Sequence, residues 1–165
     1  MKTKKLVFSA LLTALGIVTG SLIFFPVGAS KCFPVQHFIN VFSAITLGPI
    51  YSVSIAFCIS LMRNILGTGS LLAFPGSMIG AFLAAMLYKH TKKYLIAVFG
   101  EILGTGIIGG IIAYPVATLF MGKSVALFFF VIPFLLSTTV GSIIAYILIK
   151  TLDSMKILKL KDSLH

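Results

Sequence analysis

Arg63-Asn64-Ile65-Leu66-Gly67-Thr68-Gly69-Ser70-Leu71-Leu72-Ala73-Phe74-Pro75-Gly76-Ser77-Met78-Ile79-Gly80 is the stretch that decides the architecture. It holds the single arginine of the chain, a Gly-Thr-Gly-Ser turn, and a Pro-Gly pair suited to the first turn of a new helix. The sequence on either side is nearly unbroken hydrocarbon. Backbone facing lipid must satisfy its own hydrogen bonds, so such a break belongs where the chain meets water, protein or a cavity. The stretch reads as a connection between two membrane helices, at the outward-facing rim of a small-molecule site.

Composition supports the membrane setting. Of 165 residues, 59% are hydrophobic and 10% are charged, against about 25% charged in soluble domains. The expected fold is an all-α integral membrane protein. One bundle spans residues 1–150, and a short basic tail follows over 151–165. A net charge of +10 would suggest nucleic acid if the lysines formed one patch. They lie in short clusters at the ends of apolar runs, the pattern of topology signals. The expected partner is therefore the lipid bilayer and not nucleic acid. Cys32 falls in a connection and Cys58 within an apolar run, so no disulfide is expected. The chain shows no C-x-x-C, no H-E-x-x-H and no acidic cluster, and so no metal or cofactor is expected.

Charge counting fixes the number of spans. The first apolar run, 6–25, follows Lys2, Lys4 and Lys5, and small residues come after it, as in a signal peptide. At about 20 residues it exceeds a signal-peptide core of about 7–15, so it reads as a retained span. Six spans over 6–25, 36–48, 50–66, 75–89, 94–118 and 125–149 place ten cations on the side of the N-terminus. Only Lys31, Arg63 and Lys123 lie on the other side. Fusing the second and third spans turns ten against three into five against eight. The positive-inside rule selects six spans with both termini cytoplasmic. Tyr114-Pro115 is expected to kink or end the fifth span. The tail, with Ile157, Leu158 and Leu160 among lysines, reads as an interfacial helix or a frayed end.

Several polar groups stand out against this background. Gln36 and Asn40 are four apart, hence on one helix face, with His37 beside them at the outer end of the second span. Arg63 and Asn64 close the third span. Arg63 could snorkel to headgroups, yet it opposes the charge trend and a polar turn follows at once. Glu101 is the single acid within a span, and an intramembrane acid marks a pathway, a pair or a ligand contact. Its place in the inner half leaves open whether it touches a substrate or holds or gates the bundle. Phe33, Phe38, Phe74 and Tyr114 lie near these groups as candidates to stack on a planar heterocycle. Ser9, Ala10, Thr13 and Ala14 share a small-residue face, for a partner helix or for packing within the chain.

Gln36-His37-Phe38-Ile39-Asn40-Val41, Leu47-Gly48-Pro49, Arg63-Asn64-x-x-Gly67-Thr68-Gly69 and Phe74-Pro75-Gly76-Ser77-Met78-Ile79-Gly80 together resemble the ThiW family. These are substrate-capture (S) components of energy-coupling factor (ECF) vitamin transporters. The resemblance covers roughly 5–150 and preserves order and spacing. It implies the six-helix S-component bundle, with connections 26–36 and 67–74 capping a pocket near the outer surface. The implied substrate is hydroxyethylthiazole, the thiazole precursor of thiamine, or a close relative. Transport would then use a shared coupling membrane subunit, docked on the face of Ala10 and Ala14, and two cytoplasmic ATPases. The resemblance supplies motifs and no ligand contacts; the site residues expected from the residues themselves are Gln36, His37, Asn40, Arg63, Asn64, Phe74, Glu101 and Tyr114. A stand-alone transporter with Glu101 as proton carrier is the alternative. A membrane enzyme ranks last, because the acids form no catalytic pair.

Overall fold

The structure, a computed structural model, describes residues 2–28 and 30–156. Six helices pack into one bundle among these residues: α1 (Lys2–Leu22), α2 (Pro34–Leu47), α3 (Pro49–Ile65), α4 (Ala73–Thr91), α5 (Tyr94–Phe120) and α6 (Val131–Ser154). Ile157, Leu158 and Leu160, read above as part of the tail, lie outside the described residues. Thr151 to Ser154 continue α6. Three helices (Thr3–Leu22 of α1, α5 and α6) are long and apolar enough to cross a membrane, and α3 is a shorter apolar helix.

The first connection carries structure of its own. Phe25–Val27 (β1) pairs antiparallel with Ser30–Cys32 (β2), Phe25 lying opposite Cys32. Cys32 is buried and donates its S–H to the Pro133 carbonyl (3.2 Å). Burial pushes the Cys32 thiol up from its ordinary value. The hairpin is thereby fastened to the start of α6. α2 begins at Pro34, where proline presets the first helical turn.

α2 is the centre of the bundle. It is buried nearly all round, its polar residues Gln36, His37, Asn40, Ser43 and Thr46 included. Twelve of its 14 residues are buried, and α1, α3, α4 and α6 surround it. Ile39, Val41 and Ile45 meet Ile55 and Ile59 of α3 and Ile149 of α6 in the main core. Gly48 joins α2 to α3 at φ 86°, a left-handed value that favours glycine, and Pro49 then restarts the helix.

α4 and α5 meet glycine to glycine. A Cβ on Gly104 would stand 2.7 Å from Gly80 Cα, and one on Gly109 would stand 2.5 Å from Gly76 Cα. Gly76 and Gly80 of α4 thus pack against Gly109 and Gly104 of α5, small residues that let two helices approach closely. α5 widens to π-helical turns over Ile102–Gly109 and again over Val116–Phe120. Pro115 therefore neither ends nor breaks it. The helix continues beyond it through Val116–Phe120.

Candidate functional site

A cavity of about 670 Å³ opens among the helix ends and the connections they carry. Phe24, Phe33, Phe130 and Phe134 give it apolar walls, and Gln36, His37, Arg63, Ser77, Thr105 and Ser137 bring polar groups from five helices. Small-molecule pockets have this makeup, with volumes of roughly 300–1,000 Å³.

Arg63 occupies the last turn of α3 and is 2% exposed. It does not reach outward to headgroups. Nη1 donates to Gln36 Oε1 (2.9 Å) and Nη2 to the Thr68 carbonyl (3.1 Å), while the guanidinium carbon lies 4.0 Å from the Phe33 ring centroid. Gln36 passes the chain on, its Nε2 donating to Ser60 Oγ (2.8 Å), which lies 3.1 Å from Ser77 Oγ. The Thr68 and Gly69 N–H groups both donate to the Arg63 carbonyl (2.9 Å each). Gly67, at φ 70°, makes that tight return possible. Asn64 Nδ2 donates to the Ser60 and Ser70 carbonyls (2.8 and 3.0 Å), tying the same connection to α3.

Glu101 lies one layer beneath the cavity and is fully buried. Its Oε1 accepts from His37 Nδ1 (3.0 Å) and Asn40 Nδ2 (2.9 Å). Thr105 Oγ1 stands 2.9 Å from that oxygen and 3.0 Å from the Gly76 carbonyl, and its one proton serves one of them at a time. His37 thus reaches from the cavity lining down to the Glu101 carboxyl group. A Cβ on Gly80 would collide with Thr105 Oγ1 and stand 2.6 Å from Glu101 Oε2. The glycine is the space in which this cluster sits.

Of the expected site residues, Gln36, His37 and Arg63 line the cavity. Asn40 and Glu101 support it from below, and Asn64 braces its connection. Phe74 packs on Phe57 (centroids 5.8 Å apart) and Tyr114 is half-buried on α5; neither lines the cavity. Phe33 does line it, whereas Phe38 stacks on Phe42 (5.9 Å). Lys31 and Lys123, read above as topology signals only, both reach its rim. The sequence reading missed Thr105, although it is four residues from Glu101 and so on the same helix face. Phe130, Phe134 and Ser137 carried no signal that set them apart from other bundle residues.

The fold has a close counterpart. A solved structure described as the S component of a bacterial ECF transporter superposes with a TM-score of 0.72 at 18% identity, covering 95% of this chain and 97% of that one. At that identity the likeness establishes the fold. No curated protein matches the chain. The family model for the thiamine-precursor transporter protein, ThiW, matches residues 6–155. The chain belongs to the ThiW family. The family is described as a thiamine-precursor transporter protein, and the fold is that of the solved S component. Within this ThiW member, the motif Arg63-Asn64-x-x-Gly67-Thr68-Gly69 supplies one wall of the cavity, and Phe74-Pro75-Gly76-Ser77-x-x-Gly80 supplies the α4 face that holds Thr105 and Glu101.

Proposed function

We propose that the chain is the substrate-capture subunit of an ECF importer in the bacterial cytoplasmic membrane. It binds a thiamine precursor of the hydroxyethylthiazole type at the outer face. The observation that carries this reading is the cavity itself: an aromatic-walled chamber with a few convergent polar groups, in a chain of the ThiW family. A flat heterocycle packs against Phe33, Phe130 and Phe134, while Gln36, His37 and Arg63 supply hydrogen bonds at its edges. Glu101 holds His37, Asn40 holds Glu101, Asn64 braces the connection after α3, and Phe74 and Tyr114 stand outside the lining. Delivery falls to a coupling membrane subunit and two cytoplasmic ATPases on other chains. Exposure of Ala10 and Ala14 supports docking on that face of α1, while Ser9 beside them is buried in the bundle.

Native mass spectrometry of the detergent-purified chain, followed by calorimetric titration with hydroxyethylthiazole, tests the reading. Nucleotide-independent binding at about micromolar Kd or tighter is expected, as for a specific site of this size. Failure of any thiamine precursor to bind would remove it. The buried His37–Glu101 pair supports a second reading, a stand-alone proton-coupled transporter. Vesicles containing this chain alone would then take up the heterocycle when a proton gradient is imposed.

A further inference from the structure

We infer that the ligand of this cavity carries a negative charge, as a phosphate monoester or a carboxylate does. The inference rests on the thiazole reading above and deepens it.

A buried charge is ordinarily paired, because removing it from water costs several kcal/mol even after relaxation. Arg63 is 2% exposed, yet its hydrogen bonds go to an amide oxygen and a carbonyl, both neutral, and an aromatic face covers it. Its Nε is buried and has no partner. Among the described residues no carboxylate lies within ion-pair distance of it.

The rest of the chain offers little relief. Its acids are Glu101, Asp153 and Asp162. Glu101 is held beneath the cavity by His37 and Asn40 and does not line it. Asp153 closes α6, about 33 Å from Val131 at 1.5 Å per residue. Asp162 lies outside the described residues. The cavity lining contains Arg63, Lys31 and Lys123 and no acid. Helix dipoles do not decide the sign, since α2, α4 and α6 begin at this end while α1, α3 and α5 finish there. The side chains do decide it. The chamber holds one buried cation and two at its rim, and an anion is the complement.

The two lysines come from different connections, β2 and the segment after α5, and both line the chamber. A phosphate fits this placement, with the heterocycle deeper and its charged arm toward Arg63 and the lysines. The chamber is also larger than one five-membered ring with a two-carbon arm fills.

Four probes separate the possibilities on the purified full-length chain: hydroxyethylthiazole, its phosphate monoester, the matching thiazole carboxylic acid, and inorganic phosphate. An anionic thiazole is expected to bind at least about ten-fold tighter than the neutral alcohol, with the advantage shrinking as salt rises. Arg63→Gln should abolish the advantage. Should that variant fail to fold, the exposed pair Lys31→Gln/Lys123→Gln should flatten the salt dependence instead. Neutral alcohol binding as well as both anionic forms would overturn the charge inference while leaving the thiazole reading intact. Inorganic phosphate binding as tightly as its thiazole ester would keep the anion and remove the heterocycle. No binding by any probe would overturn both.

Discussion

Glu101 does its work through a single oxygen. His37 and Asn40 converge on Oε1, and both are buried donors. Truncating the acid leaves each donor unsatisfied, whereas the isosteric amide keeps one oxygen for them. Glu101→Ala should therefore destabilise the bundle by about 3 kcal/mol, the scale of breaking a buried charged network. Glu101→Gln should lose clearly less. Thermal unfolding of the two variants in the same detergent checks the ordering, and equal losses would show that the cluster contributes little. Sequence reasoning found the residue, because an acid in hydrocarbon is conspicuous. It did not find the pairing: helix periodicity places Glu101 in the inner half and His37 at the outer end of another span. They meet because α2 has only 14 residues and its first turn lies deep in the bundle.

Between elements, the contact that positions the site is α4 against α5. Gly80 opposes Gly104 and Gly76 opposes Gly109, so the two backbones approach closely and Thr105 reaches the Gly76 carbonyl. A side chain at either place must push the helices apart. Gly104→Leu is expected to cost about 1–3 kcal/mol, the range for overpacking a tight interface, and to weaken ligand binding by moving Thr105. Gly122 stands in open space with φ 63°, so Gly122→Asn, which tolerates that conformation, should leave both properties nearly unchanged. Comparing melting temperature and Kd for the pair tests this, and a neutral Gly104→Leu would place the tight packing elsewhere. Small residues recur along both helices, a pattern that lets helices approach closely. Which glycine faced which was not legible, because the π-helical turns of α5 shift its faces away from a regular α-helical register.

For the whole molecule, the count of ten cations against three makes a directional prediction. In a background lacking Cys32 and Cys58, a cysteine replacing Lys123 should react with a membrane-impermeant maleimide added outside intact cells. A cysteine replacing Lys92 should react only after lysis. The reverse pattern would invert the bundle and put the cavity on the cytoplasmic side. Charge distribution alone sets this expectation, since basic clusters resist translocation.

What the sequence determined by itself was the class and the punctuation. Hydrophobic length, the placement of lysines, and the Gly-Pro and Phe-Pro-Gly breaks specify apolar helices in a fixed order, since those signals act locally along one chain. The ThiW motifs carried the family for the same reason. Only the tertiary structure decided the chamber. Its walls come from segments some hundred residues apart, as Phe33 and Ser137 show by sharing a hydrogen bond across the chain (2.9 Å). It also turned Arg63 inward, away from any acid, because the neutral oxygens and the aromatic ring that receive it are assembled only when α2, with Phe33 before it, packs on α3 and the connection that follows α3. No local pattern encodes that assembly; it follows from which buried surfaces fit one another.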